Sequence, residues 1–329
     1  MIAFQFQRPT DSASALSAFR PNSAYLAGGT TLLDLMKLDV MRPDVVIDIN
    51  ALARSQAEIA MSNGALRLGA LARMADVESH PLVLTNVPMI AQSLQQAASP
   101  QLRNMATLGG NVLQRTRCGY FRDTNWTSCN KRIPGSGCFA LNGVNRKHAV
   151  LGVSDQCIAA YPGDFAQSLV ALDASVQLNG PDGRRTLRFD ALHRVPDDHP
   201  EVEATLKPGE LIEAFVMAAP AWLRRSMYLK VRDRQSYEFA LTSAAVALDM
   251  DGNTIREARI ALGGVASKPW RSHDAEAALA GKPASQENFR AAADVAFAAA
   301  QPREGNRYKV ELGKQTLVRA LIQTSQMKV

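Results

Sequence analysis

No stretch of the 329-residue chain approaches the ~18–20 consecutive apolar residues of a membrane-spanning helix, so membrane insertion is not expected. The opening MIAFQFQRPTDSASALSAF lacks a basic segment leading into an apolar one and does not read as a cleavable secretory signal. The five histidines show no metal-binding spacing, and HExxH, GxSxG and the kinase signatures are missing. Hydrolase and kinase chemistry therefore have no candidate residues. GxGxxG and P-loop fingerprints are missing as well. Cysteine is scarce at four residues, too few for a disulfide scaffold in a chain of this length. What remains is an ordinary globular composition, 47% hydrophobic and 21% charged, long enough for two or three domains at ~100–200 residues each.

Charge and cysteine are both unevenly placed. Between residues 100 and 150 stand eight basic residues (Arg103, Arg115, Arg117, Arg122, Lys131, Arg132, Arg146 and Lys147) against one acid, Asp123. This excess is larger than the +6 of the whole chain, so the remainder is slightly acidic and no general nucleic-acid surface is expected. The same region carries three of the four cysteines, and all four fall within a 40-residue window, spaced C-x10-C-x8-C-x18-C at Cys118, Cys129, Cys138 and Cys157. Such confinement suggests one site. Zinc usually takes close CxxC pairs, and none exists here. Two disulfides would need an oxidising compartment. Four thiolates around an iron–sulfur cluster suit the basic surroundings better, because the core with its four thiolates is a net anion and nearby cations offset the cost of burying it. Unrelated buried cysteines stay open as an alternative.

The N-terminal pattern alternates strand and helix. IAFQF reads as a strand, Ser12–Phe19 as a capped helix, Ala24–Ala27 as a strand, LLDLMKL as a helix and VVIDI as a buried strand. A second α/β unit follows: LRLGAL, a helix at Met74–His80, a helix at Val87–Ala98, and strands HAVLGV, ASVQLNG, RRTLRF and LIEAFVM. Past Pro220 come strands RSMYLKVRDR, SAAVALDM and IREARIALGGV, then helices at about 286–300 and 307–325. These place one domain at 1–220, with an inserted cysteine-rich segment at about 115–158, and a second at 221–329.

Two double-glycine loops carry the binding chemistry. Leu26-Ala27-Gly28-Gly29-Thr30-Thr31-Leu32-Leu33 runs from a strand into a helix, where small residues let an anion approach backbone N–H groups. Thr107-Leu108-Gly109-Gly110-Asn111, preceded by Ser99, repeats the design in the second unit. Together they suit the two phosphates of a dinucleotide. Further on, PGD at 162–164 puts Asp164 in a loop, and a strand at 228–234 aligns Tyr228, Lys230 and Arg232 on one face. Taken alone, that strand reads as a sheet edge with charge turned to solvent.

In this order, AGGTTLLDLMK (27–37), ASPQLRNMATLGGN (98–111), PGD (162–164) and YLKVRDR (228–234) resemble the FAD-binding medium subunits of the xanthine dehydrogenase and carbon monoxide dehydrogenase molybdenum hydroxylases. The resemblance spans essentially the whole chain. RTRCGYFRDTNWTSCNKRIPGSGCFAL and GVSDQCIA are similar to the 4Fe–4S-bearing, aldehyde-oxidising branch of that family. Threonines 30 and 31 stand where many carbon monoxide dehydrogenase subunits have Gln-Ser.

The resemblance implies an α+β chain: a two-lobed α/β FAD-binding domain of the vanillyl-alcohol-oxidase type, then a smaller α+β domain. It implies FAD held by Leu26, Ala27, Gly28, Gly29, Thr30, Thr31, Leu32, Leu33, Ser99, Thr107, Gly109, Gly110, Asn111, Asp164 and Ile212, with Lys230 near the flavin ring. It also implies one 4Fe–4S cluster on Cys118, Cys129, Cys138 and Cys157. The substrate would be oxidised elsewhere, by a molybdenum cofactor on a large partner, and electrons would pass through 2Fe–2S clusters of a small partner. FAD would hand them to an external acceptor in a heterotrimer. The equivalent subunit of a xanthine, CO or hydroxybenzoyl-CoA enzyme is an alternative, as is a non-catalytic assembly subunit with structural zinc. Without its own export signal the chain would be cytoplasmic. The resemblance implies export in folded form with a signal-bearing partner, to the periplasm.

Overall fold

A computed structural model describes residues 1–329, which build three sheets. The first holds β1 (Gln5–Gln7), β2 (Ser23–Leu26) and β3 (Val45–Asp48), all parallel, with β3 central. Its four residues are all buried, as a strand covered on both faces requires. The helix Ser12–Ala18 covers this sheet. It starts at a reciprocal cap in which Ser14 N donates to Asp11 Oδ1 (2.8 Å) and Asp11 N to Ser14 Oγ (3.3 Å).

The second sheet is antiparallel throughout. It contains β4 (Ile59–Ser62), β5 (Ala65–Gly69), β6 (Ser175–Gly180), β7 (Gly183–Arg188) and β8 (Leu211–Ala218), in the order β4-β5-β8-β6-β7. Val176 and Leu178 alternate inward along β6, the period-two signature of a half-buried strand. Against it pack the helices Pro88–Gln95 and Phe165–Ala171, making the largest core.

The third sheet holds β9 (Ser226–Val231), β10 (Thr242–Asp251), β11 (Thr254–Gly263) and β12 (Trp270–Arg271), ordered β12-β11-β10-β9. Both its faces are buried. Tyr228, Ala245, Ala247 and Ala261 join the core of the second sheet. Ala244, Val246, Leu248, Ile260 and Leu262 face a separate core built with helices Gln286–Ala296 and Tyr308–Ser325. The alanines of β10 are small because a second layer lies directly on them.

Several expectations change. HAVLGV is not a strand. Val150 N and Leu151 N both donate to Val265 O (2.8 and 3.0 Å), so the segment crosses the end of β11 and makes only an isolated bridge at Leu151. β4, β12 and the helix His273–Leu279 were not anticipated. The Asn63-Gly64 turn joining β4 to β5, with φ of +49° and +75°, is an ordinary hairpin signal that the pattern did contain.

Candidate cofactor cleft and cysteine cavity

The two double-glycine loops meet. A Cβ on Gly28 would lie 2.0 Å from Met105 O, so only glycine lets 27–29 touch the chain at 105–106. A clamp holds this contact: Arg73 donates to Met105 O and to Asn50 Oδ1 (3.0 Å), and Asn50 Nδ2 donates to Ala27 O (2.9 Å). Gly29 takes φ +73°, with Leu26 and Leu33 packed around it. In the second loop Gly109 N donates to Ala70 O (2.8 Å), and a Cβ there would press on Ala70. The hydroxyls of Ser99 and Thr107 accept from Leu102 N (3.3 Å) and Gly110 N (3.2 Å), so they shape the loop turns.

Between the loops opens a cleft of about 510 Å³, within the range of a cofactor site. Thr30, Thr31, Asn111 and Asp164 line it. Asn111 Oδ1 is buried with no hydrogen-bond partner, an acceptor waiting for a donor. Asp34, Arg117, Arg122, Arg234, Tyr237 and Phe239 also line the cleft, and sequence patterns had not marked them as site residues. Arg117 and Arg122 converge on Asp34 at 3.0 and 2.9 Å. Burial pushes the Asp34 carboxyl up, but the two guanidiniums outweigh it and hold the group below its ordinary range. Arg117 also stacks 4.9 Å from the Phe239 ring centroid. Two cations on one carboxylate leave a net positive wall, suited to a diphosphate. The cleft, the glycine contacts and the orphaned Asn111 acceptor fit a dinucleotide cofactor.

Of the expected cofactor residues, Thr30, Thr31, Asn111 and Asp164 line the cleft; Leu26, Ala27, Gly28, Gly29, Leu32, Leu33, Ser99, Thr107, Gly109 and Gly110 belong to the segments that frame it without lining it, and the remaining two sit elsewhere. Ile212 lies in the core of the second sheet and not on the lining of the cleft. Lys230 is turned inward from an edge strand, because its face of β9 is covered by the helix Pro88–Gln95 and the loop before Phe165. Its ammonium donates to Asp164 Oδ2 (2.8 Å) and Gln96 O (3.0 Å), and it reaches the cleft only through that carboxylate. Tyr228 OH donates to the other oxygen of Asp164 (2.7 Å). The strand is therefore not a solvent-facing charged edge.

The four cysteines come together. Cys118, Cys129, Cys138 and Cys157 are free thiols lining one small cavity with Tyr120, Phe121 and Lys131. Cys129 and Cys138 face each other across a narrow loop pair, where Asn130 N donates to Gly137 O (2.8 Å). Burial pushes Cys118 up to about 12 and Cys157 up to about 11, and the thiols reinforce one another. The N–H groups of Tyr120 and Phe121 face Cys118, and that of Ala159 donates to Cys157 Sγ (3.4 Å). No three His, Cys, Asp or Glu side chains are close enough to hold a single metal ion. A polynuclear core, which spans a larger space, does not need them that close.

The basic region is not a free patch. Arg103 pairs with Glu78, Arg115 and Lys131 with Glu203, Arg117 and Arg122 with Asp34, and Arg146 and Lys147 with Asp233. Arg132 instead closes the 120–126 turn by donating to its carbonyls. Four acids far away in sequence offset part of what the local count showed as excess. A cavity of about 200 Å³, lined by Arg117, Cys118, His148, Pro162 and Phe239, lies between the cysteines and the cleft.

Residues 2–219 match the family described as the FAD binding domain in molybdopterin dehydrogenase, and residues 227–324 the CO dehydrogenase flavoprotein C-terminal domain. The chain belongs to this family of FAD-binding medium subunits. It is therefore the flavoprotein part of an oxidoreductase, with the α+β architecture its motifs suggested. It is 45% identical over 324 residues to the aldehyde oxidoreductase FAD-binding subunit PaoB of Escherichia coli K12, covering 98% of each chain. It is 27% identical to the carbon monoxide dehydrogenase medium chain of Hydrogenophaga pseudoflava, covering 97% and 96%. Among solved structures, carbon monoxide dehydrogenase from the same organism aligns with a TM-score of 0.75 at 27% identity, over 98% of this chain and 97% of that one. Quinoline 2-oxidoreductase from Pseudomonas putida 86 aligns at 0.76 and 22% identity over 99% and 98%, which shows the shared fold alone. Within this family the convergence of Asp34, Arg117 and Arg122 was hidden from sequence reading, since more than eighty positions separate the acid from its bases.

Proposed function

We propose that this chain is the electron-transferring FAD subunit of a molybdenum-dependent aldehyde oxidoreductase, and that Cys118, Cys129, Cys138 and Cys157 hold one 4Fe–4S cluster. The observation that carries this reading is the adjacency of a phosphate-suited cleft and a four-thiol cavity, separated by one small cavity. Full-length similarity to a subunit named for aldehyde oxidation supports the substrate class. Bound FAD would supply exchange between one- and two-electron transfer, and an iron–sulfur cluster a one-electron relay.

The residues of the chain bind and orient. Gly28 and Gly109 let the two loops close on Met105 and Ala70, so that Thr30 and Thr31 would offer hydroxyl donors to the pyrophosphate and Asn111 Oδ1 would accept from a hydroxyl of the cofactor. Asp164, fixed by Tyr228 and Lys230, sets one wall of the cleft. Tyr237 and Phe239 line it and would offer aromatic surface to a flat ring. The four cysteines would hold the cluster as thiolates, and the N–H groups facing the sulfurs of Cys118 and Cys157 would stabilise their negative charge. No acid or base suited to substrate oxidation lines the cleft free of a structural partner. The aldehyde would be handled by a large molybdenum-cofactor subunit, with a small 2Fe–2S subunit delivering electrons to this chain for an external acceptor. Export of the folded heterotrimer on a signal-bearing partner would place it in the periplasm.

The test is an absorption spectrum of anaerobically purified protein before and after dithionite, with flavin, iron, labile sulfide and zinc quantified. Flavin bands over a bleachable shoulder, with about four irons per chain, are expected for a 4Fe–4S protein. Cys129→Ser should lose iron and keep flavin. A colourless zinc protein overturns the proposal, and flavin without iron overturns its cysteine half.

A further inference from the structure

Besides its own cysteines, the thiol site is touched by one imidazole that no other part of the fold employs. His148 is 7% exposed, and its Nε2 lies 3.2 Å from Cys118 Sγ. Its Nδ1 is buried without a partner, so no second hydrogen bond explains the ring orientation. The fold fixes the residue through its backbone. His148 N donates to Asn145 O (2.9 Å), and its carbonyl accepts from the buried Lys309 ammonium (3.0 Å). Lys309 also donates to Lys147 O (3.1 Å) and Gly264 O (2.6 Å), and Asn306 Nδ2 donates to Ala149 O (3.0 Å). Two side chains at the start of the last helix thus hold the 147–149 segment against the cysteine loop. The Tyr120 ring packs on the imidazole at 6.4 Å between centroids.

We propose that His148 is a positioning residue for the iron–sulfur cluster: its Nε2–H donates to Cys118 Sγ and raises the reduction potential at the corner facing the flavin cleft. This rests on the cluster reading above. A ligating thiolate has no proton to give, so at 3.2 Å the only attractive polar contact is the ring N–H donating to sulfur. Reduction adds one electron and no proton at this site, and the added negative charge spreads over the sulfurs. A hydrogen bond to sulfur therefore stabilises the reduced state more than the oxidised one. Direction follows from placement: Cys118 and His148 line the small cavity that also meets Arg117, Pro162 and Phe239 of the cleft.

The experiment compares wild type, His148→Phe and His148→Gln, each purified as the assembled holoprotein, with iron, labile sulfide and flavin counted before potentiometric titration. Full iron and flavin are expected in all three. His148→Phe should titrate at a more negative potential, with His148→Gln between it and wild type because the amide restores a donor. Equal potentials in all three, or equal shifts in both variants, overturn the proposal. Loss of iron in His148→Phe also overturns it, by making His148 a ligand. Wild type free of iron is a separate failure, that of the cluster reading itself. Should His148→Phe not fold, wild type labelled with ¹⁵N-histidine answers through the reduced cluster's spin. Weak coupling to one nitrogen is expected, and ligand-sized coupling or none overturns the idea.

Discussion

Lys230 and Asp164 have side chains 1% and 4% exposed and lie 2.8 Å apart, with Tyr228 OH and Gln96 O completing their hydrogen bonds. Desolvating two charges this fully is costly, and the pair is tolerated because each lobe of charge has a partner. Removing one member should be far worse than removing both. Lys230→Met, which leaves the buried carboxylate with Tyr228 OH but no cation, should cost about 3–5 kcal/mol of stability. Adding Asp164→Asn should restore most of that loss. The double-mutant cycle by denaturant unfolding of the flavin-free protein measures the coupling, and additive losses would show the pair to be independent. Because Asp164 alone of the two lines the cleft, Asp164→Asn should weaken flavin binding more than Lys230→Met does in those molecules that remain folded.

At the scale of elements, the meeting of the loops depends on a single missing methyl group. A Cβ at Gly28 would stand 2.0 Å from Met105 O and 2.7 Å from the carbonyl carbon, both backbone atoms that cannot rotate away. Gly28→Ala must therefore push the 27–29 and 105–106 segments apart, against the Arg73–Asn50 clamp. Overpacking of this kind typically costs about 1–3 kcal/mol. The protein should still fold but leave purification with at least tenfold less flavin per chain, as the released chromophore will show; normal occupancy would mean that the close approach is not needed. Both loops were legible because strand, double glycine and helix follow one another within a few residues, where local rules apply. The four cysteines were legible through their confinement. What escaped was set by distant packing: Asp34 between Arg117 and Arg122, the inward turn of Lys230 on an edge strand, and the 148–153 segment, strand-like in composition but tied crosswise to Val265. None of these has a local signature. Each depends on which element the fold lays on top.

Across the whole molecule, the C-terminal third completes both candidate sites. Tyr228 and Lys230 fix the Asp164 wall of the cleft, while Lys309 and Asn306 hold the segment that carries His148 against Cys118. The apolar layers do the same: Tyr228, Ala245, Ala247 and Ala261 belong to one continuous core with Phe165, Leu169, Phe215 and Leu94. Separable domains usually meet through modest, rather polar interfaces. Here the third sheet is a wall of the second sheet's core, so cutting the chain near residue 225 would expose that core and strand the Asp164 carboxylate without its cation. Residues 1–225 produced alone should be insoluble or, if recovered, should lack stoichiometric flavin and iron. Co-production with residues 226–329 should restore both, because the lost contacts are noncovalent and the break falls just before β9. A soluble 1–225 fragment carrying full flavin would show instead that the cleft is complete without the third sheet, and that the Lys230–Asp164 pair serves only to hold the two parts together.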